Sequence, residues 1–146
     1  MKPQAEVEQV WPRDGRIRVV GRLYGLYGAD ASAGDGWRLL LTRRSRTDHV
    51  LRYGAELDGD RYACEWDVSD LAAYDGFTGT DQWDLHLTDG GLKLRVGRKL
   101  DDIRGKKAVL VYPQQSVPGA GFGVRPYFTV EDNLSLECRA SLESRS

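Results

Sequence analysis

The stretch Trp83-Asp-Leu-His-Leu-Thr-Asp-Gly-Gly-Leu-Lys-Leu-Arg-Val96 decides the predicted fold. Apolar and polar residues alternate from Trp83 to Leu87, and the alternation resumes from Leu92 to Val96. Period two on both arms, with Asp89-Gly-Gly91 between them, predicts a β-hairpin. One face of this hairpin is apolar and the other is charged, so we expect the apolar face to pack against a second layer.

Further strand patterns lie on both sides of this hairpin, separated by turn residues. Gly21 inside one of them indicates a bulge or a close approach of two backbones. The only helical stretch is one short turn over residues 69–74. The strands that the patterns predict are 16–24, 37–42, 50–57, 61–68, 108–112 (as a buried central strand), 125–130 and 134–138. The predicted class is all-β, a sandwich of two antiparallel sheets with about nine strands in total.

A chain of 146 residues is expected to form one domain. We divide it into a polar N-terminal lead or edge strand (1–15), the sandwich (16–139) and a frayed tail (140–146). The break Trp11-Pro-Arg-Asp-Gly15 separates the lead from the first clear strand.

The net charge of −1 and the pI near 6.1 exclude the strongly basic footprint of an electrostatically driven nucleic-acid binder. No apolar run reaches membrane-spanning length, and the first residues do not start a signal peptide. The predicted location is cytoplasmic, with any membrane association made through a parent or partner protein.

The two cysteines, Cys64 and Cys138, each fall within a strand pattern. In a reducing compartment they are most simply small buried apolar side chains, and the alternative is a disulfide bridge. The spacing of the two residues along the chain leaves both interpretations open.

The sequence contains no assembled catalytic set. His49 and His86 are too few for a zinc site, and the paired carboxylates lie mostly in turns, where Asp bonds nearby amides. The Gly-x-Ser-x-Gly motif of a nucleophile elbow is absent. We therefore predict no catalytic residue, no metal site and no cofactor.

Two kinds of residue are candidates for ligand contact. Aromatic residues in loops could form a platform on which a ligand stacks, although such residues also anchor loops. Tryptophans 37, 66 and 83 lie in strand patterns and are instead predicted to be core residues. Arginines on polar strand faces could bind an anionic polymer, although they also serve solubility and edge protection. The candidates are Tyr27, Tyr74, Phe77, Phe122, Arg38 and Arg95.

A resemblance rests on Trp37-x-Leu-x-Leu, Gly59-Asp-Arg-Tyr62, Trp83-Asp-Leu-His-Leu and Arg125-Pro-Tyr-Phe-Thr-Val-Glu-Asp-Asn-Leu-Ser-Leu136. From Ile17 to Cys138 the chain resembles the immunoglobulin-like accessory β-domains of bacterial, especially actinobacterial, family 2 glycosyltransferases and teichoic-acid-type glycerophosphotransferases. The resemblance implies an immunoglobulin-like sandwich without catalytic activity, which aids oligomerisation or polymer contact beside a separate transferase domain. The aspartates with which such transferases bind nucleotide-sugar and metal have no counterpart in this chain.

The leading hypothesis is therefore a non-catalytic accessory domain of a cell-envelope transferase. Its expected partners are cell-wall glycan or another anionic polymer, a transferase domain, or a second copy of itself. The first alternative is a free-standing carbohydrate-binding module that uses loops 25–36, 72–82 and 113–124. The second is a protein-interaction or self-assembly domain that uses an exposed sheet edge.

Overall fold

The structure, a computed structural model, describes residues 3–25, 36–72, 80–100, 104–106, 110–117 and 122–140. These residues form eleven strands and a single turn of 3-10 helix, Val68–Ala72. The strands are β1 (Gln4–Arg13), β2 (Arg16–Tyr24), β3 (Arg38–Arg43), β4 (Val50–Gly54), β5 (Glu56–Asp58), β6 (Arg61–Asp67), β7 (Thr80–Thr88), β8 (Lys93–Gly97), β9 (Gln115–Val117), β10 (Phe122–Phe128) and β11 (Leu134–Ala140). The predicted all-β class is confirmed.

The strands form two layers. The smaller layer has the order β5-β6-β2-β1, with every neighbouring pair antiparallel. The larger layer has the order β4-β3-β7-β11-β10-β9, also antiparallel. β4 and β5, predicted as one strand, lie in different layers, because the chain crosses between the layers at Ala55.

The predicted hairpin of β7 and β8 is confirmed, and it is where the two layers join. Only three residue pairs hold it together, from His86↔Arg95 to Thr88↔Lys93. Beyond them β8 leaves β7 and pairs with β1 in parallel, at Ala5↔Val96 and Glu6↔Gly97. β11 then takes over the same edge of β7. One parallel ladder therefore interrupts the predicted pattern of two purely antiparallel sheets.

The turn of this hairpin is fixed by the side chain of Asp89. Its Oδ1 accepts hydrogen bonds from the amides of Gly91 (2.8 Å) and Leu92 (2.7 Å). Gly90 has a φ of 99°, a conformation that favours glycine. These backbone bonds to the charged form hold the pKa of Asp89 below its ordinary value.

The core lies between the inward faces of the two layers. Trp37, Trp66 and Trp83 are at most 3% exposed, which confirms their prediction as core residues. Cys64 and Cys138 are buried free thiols, so the sequence alternative of a disulfide is not realised. Burial raises the pKa of each thiol to about 12, which keeps both in the protonated form.

Gly21 lies at a close approach of backbones, which is one of the two alternatives that the sequence left open at this glycine. It pairs with Val7 of β1 on one side and with Tyr62 of β6 on the other, next to a register shift between Val7 and Gln9. The Tyr62 hydroxyl donates to the carbonyl oxygen of Glu6 (3.0 Å) across the space where a side chain at residue 21 would lie.

The central strand predicted over 108–112 is wrong for the part of it that the structure describes. Residues 110–112 are not in a strand, and Val111 is 62% exposed. Leu110 and Tyr112 are partly buried against the core, and the Tyr112 ring lies 6.3 Å from that of Phe128. The described part of this apolar run therefore contributes contacts to the core and no strand.

The remaining regional predictions are only partly covered by the described residues. The predicted helical turn near 69–74 is present as Val68–Ala72, and 73–79 lie outside the described residues. The predicted lead, 1–15, contains β1, which pairs with both β2 and β8. Among the described residues, no helix has the length and apolar character needed to cross a membrane.

Candidate functional site

The outward face of the larger layer carries a group of cations at its β8 end. Cross-strand pairing sets Leu40 beside Arg52 and His86, and sets His86 beside Arg95. In the next row, Thr88 lies between Arg38 and Lys93. We call the following residues the cationic patch: the cations Arg38, Arg52, Lys93 and Arg95, with the ring of His86 among them.

Three charges of the cationic patch are uncompensated within the described residues, and the fourth, on Arg95, is paired with Asp84. Arg38, Arg52 and Lys93 are exposed, and none of them forms an ion pair within the described residues. Neither row contains a carboxylate. The patch crosses four strands, which corresponds to about 15 Å at the usual spacing between strands. A flat, positive surface of this width can meet several charges of one extended anion.

Arg95 differs from the other cations because its guanidinium is bound within the fold. It lies at the fork where the edge of β7 passes from β11 to β8. Its Nη1 donates to the carbonyl oxygens of Leu85 (3.1 Å), Val96 (3.3 Å) and Leu134, and its Nη2 donates to Asp84 (3.0 Å). Arg95 therefore links the backbones of β7, β8 and β11 at the fork, beneath the exposed cations of the patch.

Asp84 forms the acidic border of the patch. Its Oδ1 accepts from Arg44 (2.6 Å), Arg95 (3.0 Å) and Ser135 (2.8 Å), at the wall of a cavity of about 360 Å³. Burial alone would raise the pKa of Asp84, but the bonds from Arg44 and Ser135 and the charge of Arg95 outweigh it and hold the pKa below its ordinary value. Asp84 is thus an ionised anchor for arginines.

His86 reports the positive potential of the patch. Burial, followed by the charges of Arg95 and Lys93, lowers its pKa to about 4. A folded pKa below the unfolded one, near 6.5, means that the folded state disfavours the charged ring. His86 therefore contributes full stability above about pH 6.5, and this contribution is lost as the pH falls towards 4.

We expect an NMR titration to show a neutral His86 ring throughout the range from pH 8 to 5. Lys93→Gln will raise the pKa of His86, and so will added salt, because both weaken the positive field. Arg61→Gln, which removes a cation from the smaller layer, will leave the pKa unchanged. A His86 ring that titrates near pH 6.5 and ignores Lys93→Gln would contradict this picture.

Among the residues predicted for ligand contact, Arg38 and Arg95 share the cationic patch. Tyr27, Tyr74 and Phe77 lie outside the described residues. Phe122 was expected in an exposed loop, but it begins β10 and is 5% exposed. Its strand pairs with both β9 and β11, which turns the ring into the core.

The sequence placed Arg52 among the arginines of polar strand faces without making it a candidate for ligand contact, and it did not single out Lys93 or Trp11. Arg52 and Lys93 lie at outward positions of their strands, and this could be predicted from the sequence. The strand patterns did not show which of these cations become neighbours. Trp11 is 49% exposed on β1, beside the Asp14-Gly15 turn. Asp-Gly between two strand patterns was the available signal for that hairpin.

Within the described ranges, no group of three or more His, Cys, Asp or Glu side chains could hold a metal ion.

Comparison with known proteins gives a structural match only. No protein-family model matches the sequence, and neither does any curated protein. One of the matching solved structures is S. aureus TarS, at a TM-score of 0.68 and 18% identity over 99% of this chain. The fold is shared with part of TarS. A crystal structure of TarS residues 217–571 matches 100% of this chain, with a TM-score of 0.65 and 18% identity.

The chain spans about a quarter of the first TarS chain and 41% of the second. At 18% identity the likeness to TarS establishes a common fold and nothing about the ligand.

Proposed function

We propose that this chain is a non-catalytic accessory domain of a cell-envelope glycosyltransferase or glycerophosphotransferase, and that its cationic patch contacts an anionic polymer. The observation that carries the proposal is the fold shared along the whole chain with part of TarS, a teichoic-acid glycosyltransferase. The residue-level resemblance to accessory β-domains of such transferases supports the same role.

The cationic patch supports the polymer contact. Arg38, Arg52 and Lys93 project from a rigid sheet, so their side chains are available without rearrangement of the backbone. A phosphate-bearing polymer carries charges at intervals along its length and can bind several of these cations at once. The nearest carboxylate in the register, Asp84, is already bonded to Arg44, Arg95 and Ser135, so it competes little for these cations.

Neutralising the three exposed cations tests the polymer contact. We expect Arg38→Gln, Arg52→Gln and Lys93→Gln together to weaken the binding of inorganic polyphosphate at low salt by about fivefold to a hundredfold, since each lost charge removes a few tenths to one kcal/mol. The measurement is titration calorimetry at several salt concentrations, and wild-type affinity will fall as salt is raised. Arg95 is left intact because it also supports the fold.

The matched control changes the net charge equally at exposed arginines outside the patch. Arg46→Gln, Arg61→Gln and Arg139→Gln together will retain most of the affinity. Equal loss in both triple variants would show that overall charge, and not the patch, attracts polyphosphate. Binding to uncharged dextran of similar length as tight as to polyphosphate would contradict the electrostatic basis of the contact.

A separate measurement tests the accessory role. We expect the purified chain alone to transfer no sugar from a nucleotide-sugar donor to a teichoic-acid acceptor. Sugar transfer by this chain that persists after contaminating enzymes have been excluded would overturn the non-catalytic assignment.

We further propose that the chain acts in the cytoplasm, which the two buried free thiols support.

A further inference from the structure

Trp11 is a large apolar side chain displayed on the outward face of the smaller layer. It pairs with Arg18 across the β1–β2 ladder, and Arg18 pairs in turn with Glu65 of β6. The side chain is 49% exposed, whereas Trp37, Trp66 and Trp83 are at most 3% exposed. The exposed part of the indole therefore keeps apolar area in contact with water, which is unfavourable. A ligand with an apolar face would cover that area.

The indole borders an open groove with a polar rim. The groove has a volume of about 440 Å³ and is lined by Trp11, Arg13, Asp14, Arg16, Arg18 and Glu65. Arg16 is held in place by Glu65 (3.0 Å) and by Asp67 (3.1 Å). Guanidinium and carboxylate groups arranged in this way present both donors and acceptors to a ligand beside the ring.

The charges of the groove balance, unlike those of the cationic patch. Arg13, Arg16 and Arg18 supply three positive charges. Asp14 and Glu65 in the lining and Asp67 beside it supply three negative ones. A polyanion gains little from such a surface, but a neutral polyhydroxylated molecule can bond to both kinds of group.

The floor of the groove is anchored from outside the smaller layer. The Gln115 side chain accepts from the amide of Gly15 (2.8 Å) and donates to the carbonyl of Arg16 (2.9 Å). These two bonds fix the Asp14-Gly15 turn, whose residues have φ of 58° and 77°. A fixed turn reduces the entropy lost when a ligand binds.

From these observations we propose a second binding site, for an uncharged saccharide, in which a sugar ring stacks its C–H face on Trp11. Its hydroxyl groups bond to the rim of Arg16, Arg18 and Glu65. A pyranose has one apolar face and a polar edge, which match the indole and the rim respectively. This site lies on the opposite layer from the cationic patch and does not depend on the function proposed for that patch.

Quenching of tryptophan fluorescence by acrylamide tests the site, because Trp11 is the exposed tryptophan. Maltotriose, cellotriose and triacetylchitotriose are titrated separately to about 20 mM, a range suited to millimolar affinities. We expect at least one of them to shield Trp11 saturably. Trp11→Ala will weaken its binding, measured by calorimetry, about tenfold, and Trp11→Phe less.

Two further variants separate a site from simple exposure of the ring. Glu65→Gln will reduce saccharide affinity while Trp11 stays quenchable, because it replaces one acceptor oxygen of the rim by a donor and removes the charge that holds Arg16. The triple neutralisation of the cationic patch will leave saccharide affinity unchanged, and raised salt will not weaken it. This outcome distinguishes the two sites even if polyphosphate binding fails.

Three results would overturn the saccharide site. The first is the absence of shielding by all three saccharides at the top of the titration. The second is shielding of Trp11 by an increase of protein concentration alone, which would make this face a contact between copies. The third is shielding by polyphosphate but by no neutral saccharide.

Discussion

Asp81→Ala will lower the free energy of unfolding by about 3–5 kcal/mol, because it removes one partner of a buried ion pair. Asp81 and Arg43 are only 6% and 7% exposed in their side chains, and the carboxylate accepts from Arg43 Nε. Asp81 also accepts from Ser45 (2.7 Å) and from the amide of Gln82 (2.9 Å). Without the carboxylate, the Arg43 guanidinium stays buried at the end of the core beside two donors that lose their acceptor.

Chemical denaturation measures this change, and an exposed pair supplies the control. The Arg46–Asp48 pair spans 3.7 Å and both side chains are more than half exposed, so Asp48→Ala will change stability by about 0.5 kcal/mol or less. A loss below about 1 kcal/mol for Asp81→Ala would show that the buried pair does not hold the two strands together.

The same pair gives the stability a pH dependence. Burial by itself raises the pKa of Asp81, but the bonds from Arg43, Ser45 and Gln82 outweigh it and hold the pKa below its ordinary value. A lowered folded pKa contributes stability that is fully present above about pH 4, the unfolded value, and that is lost as the pH falls further. The difference between wild type and Asp81→Ala will therefore narrow below about pH 4.

Gly21→Ala will destabilise the fold by about 3 kcal/mol or more, because no space exists for a methyl group at this position. An added Cβ would overlap the carbonyl oxygen of Glu6 and the hydroxyl end of Tyr62. The Glu6 oxygen belongs to the backbone of β1 and cannot move without disturbing the ladder between β1 and β2. The midpoint of denaturant unfolding is the measurement.

Two variants make the Gly21 result specific. Gly54→Ala places a methyl group where nothing lies within 4 Å, so its effect will stay within about 1 kcal/mol. Tyr62→Phe in the Gly21→Ala background removes the hydroxyl but not the overlap with Glu6, so most of the loss will remain. Equal stability of Gly21→Ala and Gly54→Ala would refute the close approach.

The two stability predictions show how far local patterns reach. A glycine inside the alternating strand 16–24 indicated a bulge or a close backbone approach, and the structure places Glu6 and Tyr62 against it. The buried pair of Arg43 and Asp81 carried no such signal, because the two residues come from strands that become neighbours only through long-range pairing. In the sequence, a charged residue such as Arg43 after an apolar run indicates the end of a strand. Only the position of its partner Asp81 shows that it is buried.

For the candidate site, too, the sequence predicted the faces of single strands but not which strands become neighbours. The alternation of β3 and β8 put Arg38, Lys93 and Arg95 on outward faces, but it did not determine that β7 lies between these two strands. Phe122 shows the opposite case, since its glycine-rich surroundings predicted a loop, and pairing with two strands drew the ring into the core. The continuous apolar run at 108–112 led to a wrong prediction of a strand, because such a run indicates burial and does not indicate pairing with another strand.

For the strands with a clear alternation, the sequence by itself determined which side faces the core, because a period of two assigns every side chain to one face. It also determined the hairpin at Asp89-Gly-Gly91, because a tight turn and its two arms are contiguous in the chain. The tertiary structure alone decided that β8 leaves β7 for β1, and that Arg95 fills the resulting fork. It likewise decided that the cationic patch and Trp11 lie on opposite layers. These features depend on contacts between residues distant in the chain, whose pairing leaves no periodic trace in either segment.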